Sequence, residues 1–291
     1  MEKLTEKRSL KNIMNNFLSK YPTFRTYPVT WIIIFINLVF FFIQTITGGS
    51  TNTENLVRMG AKFDYAISEG EYWRLLTATF LHIGFIHLIL NLVGLFIFGR
   101  LIEKEFLRFR YIIIYLFTGI ASSIFSYWSG SAFLSIEELR NCNEGLGAIG
   151  AGASGAIFGL LGCYSAFLII NKSVLGDNAK ESLISIGLLI FLNVIYGASA
   201  SNVDQVAHVS GLICGFSIGW LLSPAKQLII LPESINENSI LVSLNRNNIS
   251  KLFIVSFIFL IIIITMAFIQ RTEFLNELSG LCRLDVWYKI K

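Results

Sequence analysis

Long apolar segments alternate with short polar ones along this 291-residue chain. A helix needs roughly 17 to 25 residues to cross a bilayer, and we identify seven segments that reach or approach this length. They lie near residues 29 to 46, 83 to 102, 109 to 128, 148 to 170, 182 to 197, 206 to 222 and 252 to 269. The fifth is short and flanked by glycine. The pattern predicts an all-α polytopic membrane protein.

The composition agrees with this prediction. Hydrophobic residues make up 54% of the chain, charged residues 14%, and the mean hydropathy is +0.65, which excludes a soluble domain of this length. The net charge of +4 is modest and scattered through the connections, so we expect no nucleic-acid partner. We expect the protein to be embedded in the lipid bilayer. No internal repeat of the kind found in many transporters is evident.

The distribution of charged residues predicts how the chain is oriented across the membrane. Basic residues concentrate in a leader, residues 1 to 28, and in the second, fourth and sixth connections, whereas the odd connections are more acidic. The positive-inside rule then predicts a cytoplasmic N-terminus and, after seven spans, an external C-terminus. Residues 29 to 222 are predicted to form a six-span core, and residues 223 to 251 a polar cytoplasmic linker. Residues 252 to 291 would supply a seventh transmembrane helix and an external tail.

Two further features concern processing and cysteine chemistry. No small-residue cleavage site follows the first apolar run, so this run is read as an anchor rather than a signal peptide. The four cysteines lack metal-ligand spacing, and we expect neither a metal nor a cofactor. Cys163 and Cys214 lie in apolar runs as inert thiols, while a disulfide between Cys142 and Cys282 is the alternative to free thiols at those two positions.

The three histidines, His82, His87 and His208, all lie at or inside the ends of predicted spans. Ionisable groups inside spans are costly and are functional candidates by default. His87 and Asn91 are four residues apart and therefore share one helical face. Glycines follow His208 at spacings of three, seven and eleven residues, within about 80° of it around the helix axis. Another helix can therefore approach His208 closely.

The fourth span carries Ser154 in the glycine-rich stretch GAIGAGASGAIFGLLG. By itself such a serine is either a packing residue or a nucleophile. With the predicted orientation, Ser154 lies about 9 Å into its span, and His87 and His208 lie at similar depths. Imidazole is the commonest base for activating a serine. The Ser154 N–H, the His87 ring and the Asn91 amide are suitable donors to an oxyanion. The common depth favours acyl-transfer chemistry.

Three stretches of the chain resemble the rhomboid intramembrane serine proteases, in the order and with the spacing of that family. They are EYWRLLTATFLHIGFIHLILNLVGL from Glu71, GASGAIFGLLG from Gly152 and AHVSGLICG from Ala207. The resemblance covers about residues 29 to 222. It implies a six-helix core, and the predicted seventh span is similar to the version of the family with an extra C-terminal helix.

This resemblance also implies roles for individual residues. Ser154 would be the nucleophile and His208 the general base of a catalytic dyad. His87 and Asn91, with the Ser154 N–H, would form the oxyanion site. Phe158 occupies the position from which an aromatic ring stacks against the catalytic histidine, although relatives often have a tyrosine there.

Five further residues are candidates for supporting roles. Trp73 and Arg74 match the tryptophan–arginine pair of the family's first outer loop, where an interfacial anchor is the alternative interpretation. Gly152 and Gly155 leave the backbone free to bend around the nucleophile. His82 lies at the outer mouth of the second span.

Asp204 raises the question of a third catalytic group. It precedes His208 by four residues, so on a continuous helix its carboxylate would approach the imidazole like the acid of a triad. Capping a helix N-terminus is the more ordinary role for an aspartate at this position. The resemblance implies that His208 is oriented by the Phe158 ring instead of by an acid.

The function implied by the resemblance is cleavage of single-span or polytopic membrane proteins in or near their transmembrane segments. A proteolytically silent rhomboid-like adaptor or chaperone is the alternative, although such proteins typically lack the serine or the histidine. A channel or transporter would more naturally show paired repeats. The predicted topology, without a targeting presequence, suggests a bacterial plasma membrane.

Overall fold

The computed structural model describes residues 22–132, 149–199, 203–230 and 239–244, together with residues 261, 265, 268 and 269. In this part of the chain, five helices are long and apolar enough to cross a membrane. They are Pro28–Thr47, Phe85–Glu105, Arg108–Ser129, Asp177–Gly197 and Gln205–Leu222. A shorter apolar helix, Ser154–Ile170, matches the predicted fourth span. The prediction of an all-α polytopic membrane protein is confirmed.

The helices are numbered in chain order. They are α1 (Pro22–Thr26), α2 (Pro28–Thr47), α3 (Thr53–Arg58), α4 (Asp64–Ser68), α5 (Arg74–Thr77), α6 (Phe85–Gly94), α7 (Arg100–Glu105), α8 (Arg108–Ala132), α9 (Ser154–Ile170), α10 (Lys172–Leu175), α11 (Asp177–Ser199) and α12 (Gln205–Leu222). A 3₁₀ turn covers Ala78–Phe80, and the π-helical turn Leu95–Gly99 joins α6 to α7. The strands are β1 (Lys62–Phe63), β2 (Ile149–Gly150), β3 (Ala225–Ile230) and β4 (Ser239–Leu244).

A buried carboxylate joins the first two spans. Glu103 on α7 accepts hydrogen bonds from the backbone N–H groups of Val29 and Thr30, at 2.9 and 2.8 Å, and from the Thr30 hydroxyl at 2.8 Å. These N–H groups belong to the first turn of α2 and have no partner within the helix. An anion at a helix N-terminus also interacts favourably with the helix dipole. Glu103 therefore sets the position of α2 against α7.

Helix α9 lies at the centre of the bundle and packs along α12 and α8. The predicted glycine seam of α12 is confirmed: Gly211 and Gly215 lie against the backbone carbonyls of Gly155 and Gly159 on α9. A Cβ atom at Gly219 would lie 2.6 Å from the Cα of Cys163, closer than any side chain tolerates. Because no Cβ intervenes, the backbones of α9 and α12 touch along three turns.

The start of α9 differs from the sequence prediction. The helix begins at Ser154 and not near residue 148, because β2 pairs with β1 and places Gly150 opposite Lys62. Gly152 follows with a φ of +141°, and its N–H donates to the Ala78 carbonyl at 2.9 Å. A positive φ ends any continuous helix. Ser154 is therefore the first residue of α9 and not a residue six positions into a span.

The segment after α12 also contains structure. Residues 223 to 251, predicted as a linker, include β3 and β4, which pair as an antiparallel hairpin. Lys226 on β3 forms an ion pair with Glu105, and its N–H donates to the Asn171 side chain at 2.7 Å. Glu105 and Asn171 lie at the C-terminal ends of α7 and α9. The first strand of the hairpin is therefore anchored to the bundle.

Several sequence predictions lie outside the described residues. These include Cys142 and Cys282, most of the leader and almost all of the predicted seventh span. Within that span, Phe268 packs its ring against Tyr72 at 5.0 Å and Tyr127 at 5.4 Å between ring centroids. Cys163 and Cys214 are buried free thiols, as predicted.

Candidate functional site

Ser154 and His87 meet at Gly152. A Cβ atom on Gly152 would lie 2.7 Å from Cε1 and 2.8 Å from Nε2 of the His87 ring, and 3.6 Å from the Ser154 Oγ. The His87 imidazole, carried by α6, therefore lies against the backbone immediately before the serine. Any larger residue at position 152 would enter the space between the ring and the hydroxyl. The predicted association of His87 with the serine segment is present in the structure.

His208 stacks flat on Phe158. The two ring centroids are 4.5 Å apart and the planes differ by 8°. Phe158 lies one turn after Ser154 on α9, so the stacking holds the imidazole over the start of that helix. Within the described residues, Ser154 Oγ and the His208 ring form no hydrogen bond. Catalytic hydrogen bonds are often long in the absence of substrate and shorten only in the reacting complex.

The other edge of the His208 ring faces α11. Its Nδ1 lies 3.1 Å from the Oδ1 of Asn193, a residue on α11 that the sequence analysis did not single out. The Gln205 side chain donates to the Asn193 carbonyl at 3.3 Å. His208 is thus held by a ring from α9 and an amide from α11.

Asn91 lies below His87 on α6. Its Nδ2 donates to the His87 carbonyl at 2.9 Å, so one amide N–H holds the α6 backbone and the second remains available. Its Oδ1 is buried and has no hydrogen-bond partner among the described residues. The side chain is 4% exposed. The predicted same-face arrangement of His87 and Asn91 is present in the structure.

His82 is fully buried beside His87, with ring centroids 5.4 Å apart. Its backbone pairs with the Gln44 side chain: the His82 N–H donates to Gln44 Oε1 at 3.1 Å, and Gln44 Nε2 donates to the His82 carbonyl at 3.2 Å. Burial lowers the pKa of His82 from its ordinary value of 6.5 to about 3, with a smaller contribution from His87. His82 therefore acts as a neutral packing group behind His87.

Arg74 organises the connection between the first two spans. Its guanidinium donates to the carbonyls of Val57 and Ala61 at 2.6 and 3.1 Å and pairs with Glu71 at 2.6 Å. It also lies 4.6 Å from the centroid of the Trp73 ring. Arg74 is buried, whereas Trp73 is 49% exposed. The pair supports the loop around the site and does not contact Ser154.

A buried polar chain reaches the start of α12. Lys62 Nζ lies 3.1 Å from Asp64 Oδ1 and donates to Ser126 Oγ at 2.7 Å. The Ser126 hydroxyl donates in turn to Asp204, which caps α12 by accepting the Ala207 N–H at 2.9 Å. Among the described residues the Asp204 carboxylate makes no hydrogen bond with the imidazole. Asp204 is therefore a helix cap.

The structure brings Ser154, Gly152, His87 and Asn91 together, and places His208 and Phe158 beside them from α12 and α9. Gly155 lies in the seam between these helices, packed against Ser122 and the Ala207 carbonyl. Sequence reasoning missed the amide that faces His208 and the lysine chain that reaches its helix. Asn193 could have been found from the sequence, because it is a polar residue within the apolar stretch LLIFLNVIYG.

Comparisons with known proteins agree on one family. A family model described as "Rhomboid domain" matches residues 69–225. Rhomboid protease GluP of Bacillus subtilis (strain 168) is 38% identical over 200 residues, which cover 69% of this chain and 35% of GluP. Rhomboid protease AarA of Providencia stuartii is 31% identical over 210 residues, covering 68% of this chain and 74% of AarA. Putative rhomboid protease YdcA of Bacillus subtilis is 28% identical over 203 residues, 70% of this chain and 92% of YdcA.

The fold and the site define an integral membrane protein whose helices bring a serine, two histidines and an asparagine to one place. Together with the match over residues 69–225, they show that the chain belongs to the rhomboid family.

Proposed function

We propose that this protein is an intramembrane serine endopeptidase that hydrolyses peptide bonds in or near the transmembrane segments of other membrane proteins. Ser154 is the nucleophile and His208 the general base of a dyad. His87, Asn91 and the Ser154 N–H bind the oxyanion. The relatives named above as rhomboid proteases support this activity at the level of the family.

One observation carries the proposal: Gly152 packs against both the His87 ring and the Ser154 hydroxyl, while His208 stacks on the ring one turn along the same helix. A packing serine would require none of these neighbours. The two imidazoles come from His87 and His208, which lie 67 and 54 positions from Ser154 in the sequence. Intramembrane ionisable groups are costly, so the presence of two imidazoles around the start of α9 favours a chemical role.

The chemistry follows from these positions. As the Ser154 Oγ attacks the substrate carbonyl carbon, Nε2 of His208 accepts the hydroxyl proton. The carbonyl oxygen becomes an oxyanion, which the donors around Gly152 stabilise. His208 then returns the proton to the leaving amine, and an acyl-enzyme remains on Ser154. Water, deprotonated by the same imidazole, hydrolyses this ester and restores the serine.

The substrate is a membrane protein, single-span or polytopic, because the site is built into helices that cross the bilayer. A peptide bond within a regular helix is shielded, so residues that weaken helices favour cleavage. We place the protein in a bacterial plasma membrane with its N-terminus cytoplasmic, so that the site opens toward the outer face. This orientation rests on the distribution of basic residues.

The test compares wild type with Ser154→Ala and His208→Ala, purified and incubated with a fluorescently labelled single-span substrate. The expected result is cleavage by wild type alone, with all three proteins equally monodisperse. Cleavage by Ser154→Ala would refute the nucleophile assignment. Binding of the labelled helix without cleavage by wild type would instead support the silent adaptor.

A further inference from the structure

Asn193 is the polar residue of α11 that faces His208. The surrounding side chains of this helix, Phe191, Leu192 and Val194, are exposed at 59, 56 and 48% of their surfaces. Asn193 is more buried than these neighbours, and its Oδ1 lies 3.1 Å from Nδ1 of the imidazole. The helix thus turns its amide toward the base and its apolar side chains outward.

A second contact ties the same residue to the histidine helix. Gln205, the first residue of α12, donates its side-chain amide to the Asn193 carbonyl at 3.3 Å. The Gln205 side chain occupies the space that a Cβ on Gly197 would fill, one turn along α11. Backbone and side chain of Asn193 therefore both contact α12, which fixes the amide relative to the ring.

The direction of the hydrogen bond decides what the imidazole can do. A neutral imidazole carries one N–H and one acceptor nitrogen. When Nδ1–H donates to Asn193 Oδ1, Nε2 keeps its lone pair and can accept a proton from Ser154. If Nε2 carried the hydrogen instead, the ring could not act as a base toward the serine. An acceptor opposite Nδ1 therefore selects the reactive tautomer.

An amide suits this position better than a carboxylate. A charged group inside a membrane-spanning bundle is costly, whereas a neutral amide accepts the same hydrogen bond without that cost. The nearby carboxylate, Asp204, is already bound to Ser126 and the Ala207 N–H. Stacking on Phe158 fixes the plane of the ring but leaves its tautomer undetermined.

From these contacts we propose that Asn193 is a positioning residue that holds His208 in the Nδ1–H tautomer, so that the site works as Ser154–His208–Asn193. This proposal rests on the proposed function for its catalytic consequence. The tautomer itself is independent of activity and can be observed directly.

The two central variants, Asn193→Leu and Asn193→Asp, differ in whether they keep a hydrogen-bond acceptor opposite Nδ1 of His208. Leucine has nearly the shape of asparagine but no acceptor, whereas aspartate keeps an oxygen at the same place. We expect Asn193→Leu to lower kcat by about tenfold to a hundredfold at nearly constant KM. This is less than the ~10⁴ lost when a protease histidine is held in the wrong tautomer, because the leucine leaves both tautomers accessible. Asn193→Asp should recover most of the lost turnover.

The matched control is Val194→Leu, which places the same new side chain at an outward-facing position of the same helix. It should keep wild-type kcat. Thermal unfolding of all variants in the same detergent separates turnover from folding. If Asn193→Leu does not fold, Asn193→Ala replaces it in the comparison.

The spectroscopic readout uses protein labelled with ¹⁵N-histidine. The chain has three histidines, and His208→Ala assigns the resonances of the third. At neutral pH we expect Nδ1 of His208 to be protonated in wild type, in Ser154→Ala and in Asn193→Asp, and a mixture of tautomers in Asn193→Leu. Ser154→Ala is included to show that the tautomer does not depend on the nucleophile.

The outcomes are distinguishable. Residual cleavage by Ser154→Ala would overturn the proposed function and leave the tautomer result intact. Loss of cleavage in Ser154→Ala with unchanged kcat in Asn193→Leu would overturn the role of Asn193 alone. Protonation of His208 on Nε2 in a protein that keeps Asn193 would overturn the role of Asn193 on structural grounds.

Discussion

Ser126 on α8 donates a hydrogen bond to Asp204, the residue that caps the helix carrying His208. The other carboxylate oxygen of Asp204 accepts the Ala207 N–H at 2.9 Å. The same Ser126 oxygen accepts a hydrogen bond from Lys62 at 2.7 Å. Through these contacts the start of α12 is fastened to α8 and to the β1 segment, and both carboxylate oxygens have partners other than the imidazole.

The first prediction concerns Asp204. Asparagine keeps one oxygen that can cap the helix by accepting the Ala207 N–H, and its amide N–H can donate to the Ser126 oxygen. Asp204→Asn should therefore keep most of the wild-type kcat. Asp204→Ala removes the cap, which costs about 1 kcal/mol of stability. Cleavage assays and thermal unfolding in detergent measure the two effects. A loss beyond about a hundredfold in kcat for a folded Asp204→Asn, approaching that of a triad acid, would show that the carboxylate is catalytic.

The second prediction concerns the buried ion pair of Lys62 and Asp64, whose side chains are 4% and 0% exposed. Lys62→Met removes the cation that faces a buried carboxylate, which typically costs about 3–5 kcal/mol of unfolding free energy. The double variant Lys62→Met with Asp64→Leu should recover much of this loss. Unfolding by SDS titration in micelles gives the values.

The control for the ion pair is Lys172→Met, at an exposed position. It should leave the unfolding free energy within about 0.5 kcal/mol of wild type. Equal stability of Lys62→Met and Lys172→Met would contradict the structural importance of the pair.

The third prediction compares two glycines with positive φ. Gly152 has a φ of +141° and faces the His87 ring, whereas Gly70 has a φ of +99° with open space around its Cα. Alanine at either position strains the backbone by about 1 kcal/mol or more. Only Gly152→Ala should also displace His87 and lower kcat. Similar turnover of the two variants at matched folded concentration would argue against contact between position 152 and the site.

The fourth prediction addresses the oxyanion donors. If His87 and Asn91 bind charge that develops only in the transition state, His87→Ala and Asn91→Ala should each lower kcat by about 10² to 10³ with little change in KM. Asn91→Ala also removes the hydrogen bond to the His87 carbonyl, so thermal unfolding must accompany the kinetics. Unchanged turnover in both variants would exclude these residues from the mechanism.

The fifth prediction concerns acid sensitivity. Burial lowers the pKa of His82 to about 3, from the 6.5 of an unperturbed histidine. Between these values the unfolded chain binds a proton that the folded protein does not, so stability falls as the pH is lowered. The slope is at most about 1.4 kcal/mol per pH unit for one residue.

His82→Phe removes this titrating group while keeping a buried ring. The difference in stability between pH 7 and pH 5 should therefore be smaller in the variant than in wild type by about 2 kcal/mol. Comparing each protein with itself cancels the direct cost of the substitution. An identical pH dependence in the two proteins would show that His82 protonates without penalty.

Local patterns were sufficient for the membrane-spanning architecture. A continuous run of about twenty apolar residues has the length of a membrane-spanning helix, and as a helix it satisfies all its backbone groups within the run. The same reasoning identified Ser154, His87 and His208 as candidates, since polar groups in such runs are rare and costly. Glycines spaced along one face of α12 also predicted the close contact with α9, because helical periodicity alone determines that face.

The start of α9 required the tertiary structure. Hydropathy continues unbroken through residues 148 to 153, but the chain there pairs with β1 and turns at Gly152. Pairing with a segment some ninety residues earlier leaves no local signature in the sequence.

The partners of the site were decided by the tertiary structure for the same reason. The sequence determined which side chains could do chemistry, because burial in a bilayer makes each polar residue conspicuous by itself. It did not determine that Asn193 faces His208, or that Lys62 reaches Asp204 through Ser126. These contacts join different helices and loops, and their formation depends on how the helices rotate and cross. Helix packing selects those angles from side-chain contacts along the whole bundle, so no single segment encodes them.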